Sequence, residues 1–212
     1  MTTYTKIAVR GAALVLVMSL ISGFLGYLAR VILARNLTIE EFGLFYSVFG
    51  FLGLFGIFKG LGFEKSMIKF IPEFIQKKEL NSIKSGIIYT AIVHFVTNSI
   101  IIIIVYTFGN FLSANYFKSD EAGFVLKLMA LALFFDSFVE ALRSIFQGFR
   151  RVDYYAGMDL IRAIMMVGIV LIGFKLNYGI LSPILAYAIV SVILLAVFGT
   201  ILVRKTFREF FS

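Results

Sequence analysis

Two stretches of this sequence put charged side chains where apolar residues dominate. Asp136, Glu140, Arg143 and Gln147 follow at steps of four, three and four, so a helix would present them as one polar stripe. Asp159 and Arg162 lie three apart in the next apolar run. A charge in hydrocarbon costs about 2.5–3.5 kcal/mol on insertion scales, so each of these residues needs a physical reason to be there. If the two runs form an antiparallel hairpin turning near Arg151, residues whose numbers sum to about 302 share a depth. Glu140 then faces Arg162, and Arg143 faces Asp159, each an acid matched with a base. Such pairs would clamp two helices together; alternatively, part of the stripe lines a watery cavity and handles a charged substrate or coupling ion. Asp136 is expected to lie nearest the bilayer midplane, level with neutral Met166. Unpaired there, its carboxyl would be pushed towards the neutral form and could take up and release a proton. His94 and Asn98, four apart in an earlier run, would either hydrogen-bond neighbouring helices or give Asp136 a proton-sensitive partner.

Residues like these need elements that hold them in lipid. Of 212 residues 60% are hydrophobic and 15% charged, and mean hydropathy is +0.97. A soluble domain needs about 25% charged residues to cover its surface. Long apolar runs without alternation exclude a barrel, because backbone groups in hydrocarbon must pair within helices. The expected fold is therefore all-α, a polytopic six-helix transmembrane bundle. About 20 residues cross the hydrocarbon core, which places spans near 11–33, 43–62, 86–108, 124–146, 155–174 and 183–203 of a single domain, 1–212. Thr38-Ile39-Glu40-Glu41 has the pattern of a capping box opening the second span. Ser182-Pro183 reads as an N-cap followed by proline at the first position of the sixth. The second span carries many glycines, including a G-x-x-x-G at 56–60 that suits close packing or a hinge. Residues 63–75 continue it as an amphipathic helix expected at the lipid–water boundary.

Charge orients the bundle. With the N-terminus inside, cytoplasmic segments hold 14 of the 20 Lys and Arg residues, outer segments hold 5, and Arg162 lies within a span. That bias predicts both termini of a multi-pass membrane protein in the cytoplasm. The net charge of +8 is read as topogenic, with anionic lipid rather than nucleic acid as its partner. Arg30 and Lys59, near span ends, are expected to snorkel to the interface. The chain has no cysteine and one histidine, which removes thiol chemistry and paired-histidine zinc motifs. Membrane-embedded group transfer needs clustered acids or histidines, usually with a metal. Here the loops are basic, so neither an enzyme nor a cofactor or metal is expected.

Three sets of residues resemble a known family. Ala34-Arg35-Asn36-Leu37 with Glu41-Phe42-Gly43 is similar to an A-R-x-L … E-[FY]-G signature between spans one and two. Gly60-Leu61-Gly62 with Lys69-Phe70-Ile71-Pro72-Glu73 is similar to G-L-G … R/K-F-I-P. Phe146-Gln147-Gly148-Phe149-Arg150-Arg151, with Tyr155 and Arg162 downstream, is similar to Q/R-G-x-x-R … Y … R. In this order the chain resembles the N-terminal half of the oligosaccharide flippases, or polysaccharide-biosynthesis membrane proteins, of the multidrug/oligosaccharidyl-lipid/polysaccharide superfamily. The resemblance implies one lobe of a two-lobe transporter, completed by a second lobe or a second copy. It also implies a central cavity and a polyprenyl-linked oligosaccharide as substrate, with Arg143 and Arg162 suited to its phosphate. The lipid II flippase branch has arginines where Gly23 and Ala29 stand here. The drug-extruding branch has an acid in its first span, and the cores of spans one to three here have none. A cation-coupled exporter of drugs or metabolites and a membrane scaffold are the alternatives to saccharide flipping.

Overall fold

A computed structural model describes residues 3–206, with the side chains of Val9 and of Gly11 onward. The charges of Lys6, Arg10 and Arg208 and the C-terminal Ser212 lie outside the described residues or side chains. Among the described residues seven α-helices follow in order: α1 (Thr3–Asn36), α2 (Ile39–Leu54), α3 (Phe63–Lys77), α4 (Leu80–Leu112), α5 (Ala122–Gly148), α6 (Val152–Lys175) and α7 (Leu181–Ile201). A 3₁₀ turn (Phe55–Phe58) follows α2, and π-helical turns extend α4 through Phe117 and α7 through Thr206. Six segments among the described residues are long and apolar enough to cross a membrane: Gly11–Asn36, Ile39–Phe58, Leu80–Phe117, Ala122–Gly148, Val152–Lys175 and Leu181–Thr206. The all-α membrane bundle expected from the sequence is the observed class.

The capping box is present. The Glu41 amide donates to the Thr38 hydroxyl at 3.2 Å, and the Thr38 amide donates to the Glu41 carboxylate at 2.9 Å, satisfying two of the amides left free at a helix start. The start of α7 differs from expectation. The helix begins at Leu181, so Pro183 sits in its first turn, where a missing amide hydrogen costs nothing. Ser182 packs instead of capping: a Cβ on Gly173 would lie 2.7 Å from the Ser182 Cβ, so α6 and α7 meet there through glycine.

The second span is not continuous with the amphipathic helix. Gly50, Gly53, Gly56, Gly60 and Gly62 weaken helix formation by about 1 kcal/mol each relative to alanine, and the chain leaves the helix with Leu61 at φ 48° and Gly62 at φ 82°. The break is chemically compensated. The Lys59 carbonyl accepts from the Thr97 hydroxyl and from the Asn98 amide on α4, as broken membrane helices require. The Lys59 backbone, directly after the second span, is thereby held against the middle of α4. Of the G-x-x-x-G pair, Gly60 is tightly packed and Gly56 has open space beside it. Helix α3 packs its apolar face along α4 and α5, with Met67 and Ile71 buried and Lys65 and Lys69 exposed. Its exposed Glu73–Lys77 pair, 2.7 Å apart, holds the Glu73 carboxyl below and the Lys77 amine above their ordinary ranges.

The most enclosed helix is α5, packed by α2, α3, α4, α6 and α7. Two apolar clusters sit along it, one around Val48, Leu126, Met129 and Val170, the other around Ile71, Ile83, Phe146 and Phe198. Between them lies a polar layer of His94, Asn98, Asp136, Ser137 and Ser191, all buried. At the Arg150 end, a Cβ on Gly148 would fall 2.7 Å from the Met67 carbonyl and 2.9 Å from Ile71 Cδ1. Both neighbours are fixed in α3. Gly148→Ala is therefore expected to cost about 1–3 kcal/mol through overpacking, read as a fall in the unfolding midpoint in detergent. Gly43→Ala in α2, with nothing within 4 Å, should not lower that midpoint and should raise it by up to about 1 kcal/mol of helix propensity.

Candidate functional site

Among the described helices α1 packs mainly on α6 and touches α2 only lightly, which leaves a cleft between α1, α2, α6 and α7. Its volume is 320 Å³. Small residues on α1 (Ser22, Gly26 and Ala29) keep it open, and Phe45, Phe49, Met166 and Val170 supply apolar wall. The polar groups are Arg30, Tyr46, Asp159, Arg162 and Tyr187. The cleft runs from the mid-depth charges towards the bundle end that carries Thr38 and Pro183. A larger hollow of 830 Å³ lies at that end, but Glu40, Glu41, Asp120 and Glu121 surround it and would repel an anion.

The α5–α6 hairpin makes one of the expected pairs and replaces the other. Arg143 grips Asp159 with two nitrogens: Nε lies 2.8 and 3.0 Å from the two carboxylate oxygens, and Nη2 lies 2.8 Å from Oδ2. This fork-to-fork geometry is the strong form of the interaction. Arg162, however, pairs with Asp136 and not with Glu140. The reason is burial. The Asp136 side chain is 5% exposed, and a carboxylate that dry must be matched; Glu140 is only partly buried, with Lys59 within electrostatic range. Asp136 also accepts from the Ser191 hydroxyl of α7 at 3.2 Å. The midplane acid expected to be unpaired is thus paired with Arg162 and held by Ser191.

His94 is not a partner of Asp136. Its ring, wholly buried beside Phe138, has Nε2 3.1 Å from Glu64 Oε1 at the start of α3. That is ion-pair distance but off the line of a hydrogen bond, and Nδ1 has no partner among the described residues. His94, Glu64 and Glu140 therefore lie away from the cleft lining, whereas Asp159 and Arg162 are in it.

The sequence did not single out Arg30, Tyr46 and Tyr187 for the site. The Arg30 guanidinium stands 5.6 Å from the Tyr46 ring centroid, a cation–π distance. It has no carboxylate partner among the described residues, and it is exposed to the cleft. A legible signal was present: Ser22, Gly26 and Ala29 recur at helical spacing just before Arg30, marking a helix face that leaves room beside it. The arrangement suits a ligand with an anionic head and apolar or hydroxylated parts, since Arg30 offers free charge, Arg162 shared charge, and the tyrosines stacking faces.

Comparison with known proteins agrees with this architecture. The chain is 24% identical over 220 aligned residues to an uncharacterized membrane protein of Methanocaldococcus jannaschii. The match covers 98% of this chain and 43% of that protein, so the chain spans less than half its relative's length. No solved structure matches. The family model for polysaccharide biosynthesis proteins matches residues 8–212, essentially the whole bundle, and the chain belongs to that family.

Proposed function

We propose that this chain is one lobe of a transporter that flips polyprenyl-linked oligosaccharide across the plasma membrane, supplying surface polysaccharide or glycoconjugate assembly. The observation that supports it most is the cleft, where an unpaired Arg30 and a shared Arg162 meet aromatic and apolar walls. The phosphate or pyrophosphate of such a substrate would sit against Arg30 and draw on Arg162. The saccharide would stack on Tyr46 and Tyr187, and the polyprenyl chain would remain in lipid. Arg143 and Asp159 act as the clamp that fixes α6 against α5, and Asp136 fixes Arg162. A second lobe or a second copy of this chain covers the open side of the cleft, since transporter sites built from repeats lie at the mutual interface. In this reading both termini face the cytoplasm, consistent with the excess of Lys and Arg at the Arg150 end.

The test is transport in liposomes. Purified particles of known mass are reconstituted, and the exchange of a fluorescent polyprenyl-diphosphate saccharide between leaflets is followed beside uptake of a fluorescent organic cation. Saccharide exchange by a particle holding two lobes is the expected result. Cation uptake without saccharide exchange would make the protein an exporter, absence of both would make it a scaffold, and exchange by a single isolated lobe would remove the two-lobe requirement.

A further inference from the structure

The break between α2 and α3 is built around the only histidine of the chain. His94 is 0% exposed, and burying an imidazole without a hydrogen-bond partner is costly unless another state of the ring uses the position. Glu64, the second residue of α3, is 23% exposed, so its carboxylate reaches both the ring and the outside. Gly60 makes the approach possible, because a Cβ there would strike the Glu64 carboxylate and the His94 ring. The Asn98 side chain donates to the His94 carbonyl at 2.7 Å and also reaches the Lys59 carbonyl, tying the break to α4 at this point.

We propose that His94 and Glu64 form a proton-binding latch that holds the start of α3 against α4 at the helix break, apart from the cleft. The charges that face it are Lys59 from the break and Glu140 from α5, with Asp136 and Arg162 paired beyond. With a proton on His94 the inner group of Lys59, His94, Glu64 and Glu140 sums to zero charge. Without it, two carboxylates face a single lysine, and in a low-dielectric setting that imbalance weakens the attachment of Glu64. Leu61 and Gly62, at positive φ, form the joint. The lever is α3 itself, whose Met67 and Ile71 pack on α5 at Gly148. Release of the latch frees α3 to repack the Arg150 end of the bundle. Proton binding thus sets the conformation of that end and makes no demand on which substrate the cleft takes.

A single histidine and no cysteine make the test clean. The full chain, labelled with ¹⁵N-histidine, is placed in nanodiscs, and the imidazole resonances are recorded across about pH 5.5–8. Spin labels on cysteines introduced at Lys69 of α3 and Val197 of α7, both exposed, report distance across the same range. The expected result is a change of imidazole protonation state and, with the same midpoint, a redistribution between two distance populations. Their ratio should change by about tenfold or more. Glu64→Gln should abolish the redistribution while the imidazole signal persists, and His94→Gln should leave one population at every pH. An imidazole locked in one state, a pH-independent distance distribution in the unmodified protein, or a pH-dependent distance distribution surviving in either variant overturns the latch.

Discussion

Arg162→Ala should destabilise the bundle by about 3–5 kcal/mol, because it strands a buried carboxylate, and adding Asp136→Ala should return much of that loss. The Asp136 side chain has 5% exposure, and without Arg162 its remaining described partner is the Ser191 hydroxyl. Glu140→Ala added to Arg162→Ala should give no recovery, which separates the observed pair from the pair that equal depth suggests. Unfolding in mixed detergent micelles measures all four proteins. Recovery by Glu140→Ala in place of Asp136→Ala would contradict the assignment. Arg143→Ala should cost less, since Arg143 and Asp159 are 37% and 30% exposed and water can serve the survivor.

The contrast between the two arginines shows what the sequence could convey. Spans were legible because twenty apolar residues in a row have few alternatives in lipid. The Thr38–Glu41 cap was legible because its chemistry lies within four residues. Arg143–Asp159 was legible because hairpin depth alone decides it. Arg162 was not, because its choice between Asp136 and Glu140 depends on how far each acid is buried, and α7 takes part in that burial through Ser191. The break at Leu61–Gly62 was hidden for a similar reason. Glycines in a membrane span permit either close packing or interruption, and here the Thr97 and Asn98 side chains satisfy the freed carbonyl of Lys59. His94 was visible as an unusual residue, but its partner Glu64 sits on α3, and spacing along the chain does not tell on which helices that amphipathic face packs.

The cleft was the least legible feature, since it is a space left by α1 leaning on α6, and Arg30 is the residue that gives it meaning. Arg30 also makes the sharper test. Removing Arg162 disturbs a buried pair, whereas Arg30 has no described carboxylate partner, so its loss strands no acid. The most direct measurement is the binding of a polyprenyl-diphosphate saccharide to the protein in nanodiscs, set beside the same saccharide on a neutral polyprenyl ether. The diphosphate lipid should bind the unmodified protein at least about tenfold more tightly, equivalent to ~1.4 kcal/mol, and Arg30→Gln should erase that preference without lowering the unfolding midpoint. Equal binding of the two lipids, or a preference that Arg30→Gln leaves intact, would contradict an anionic head group in this cleft.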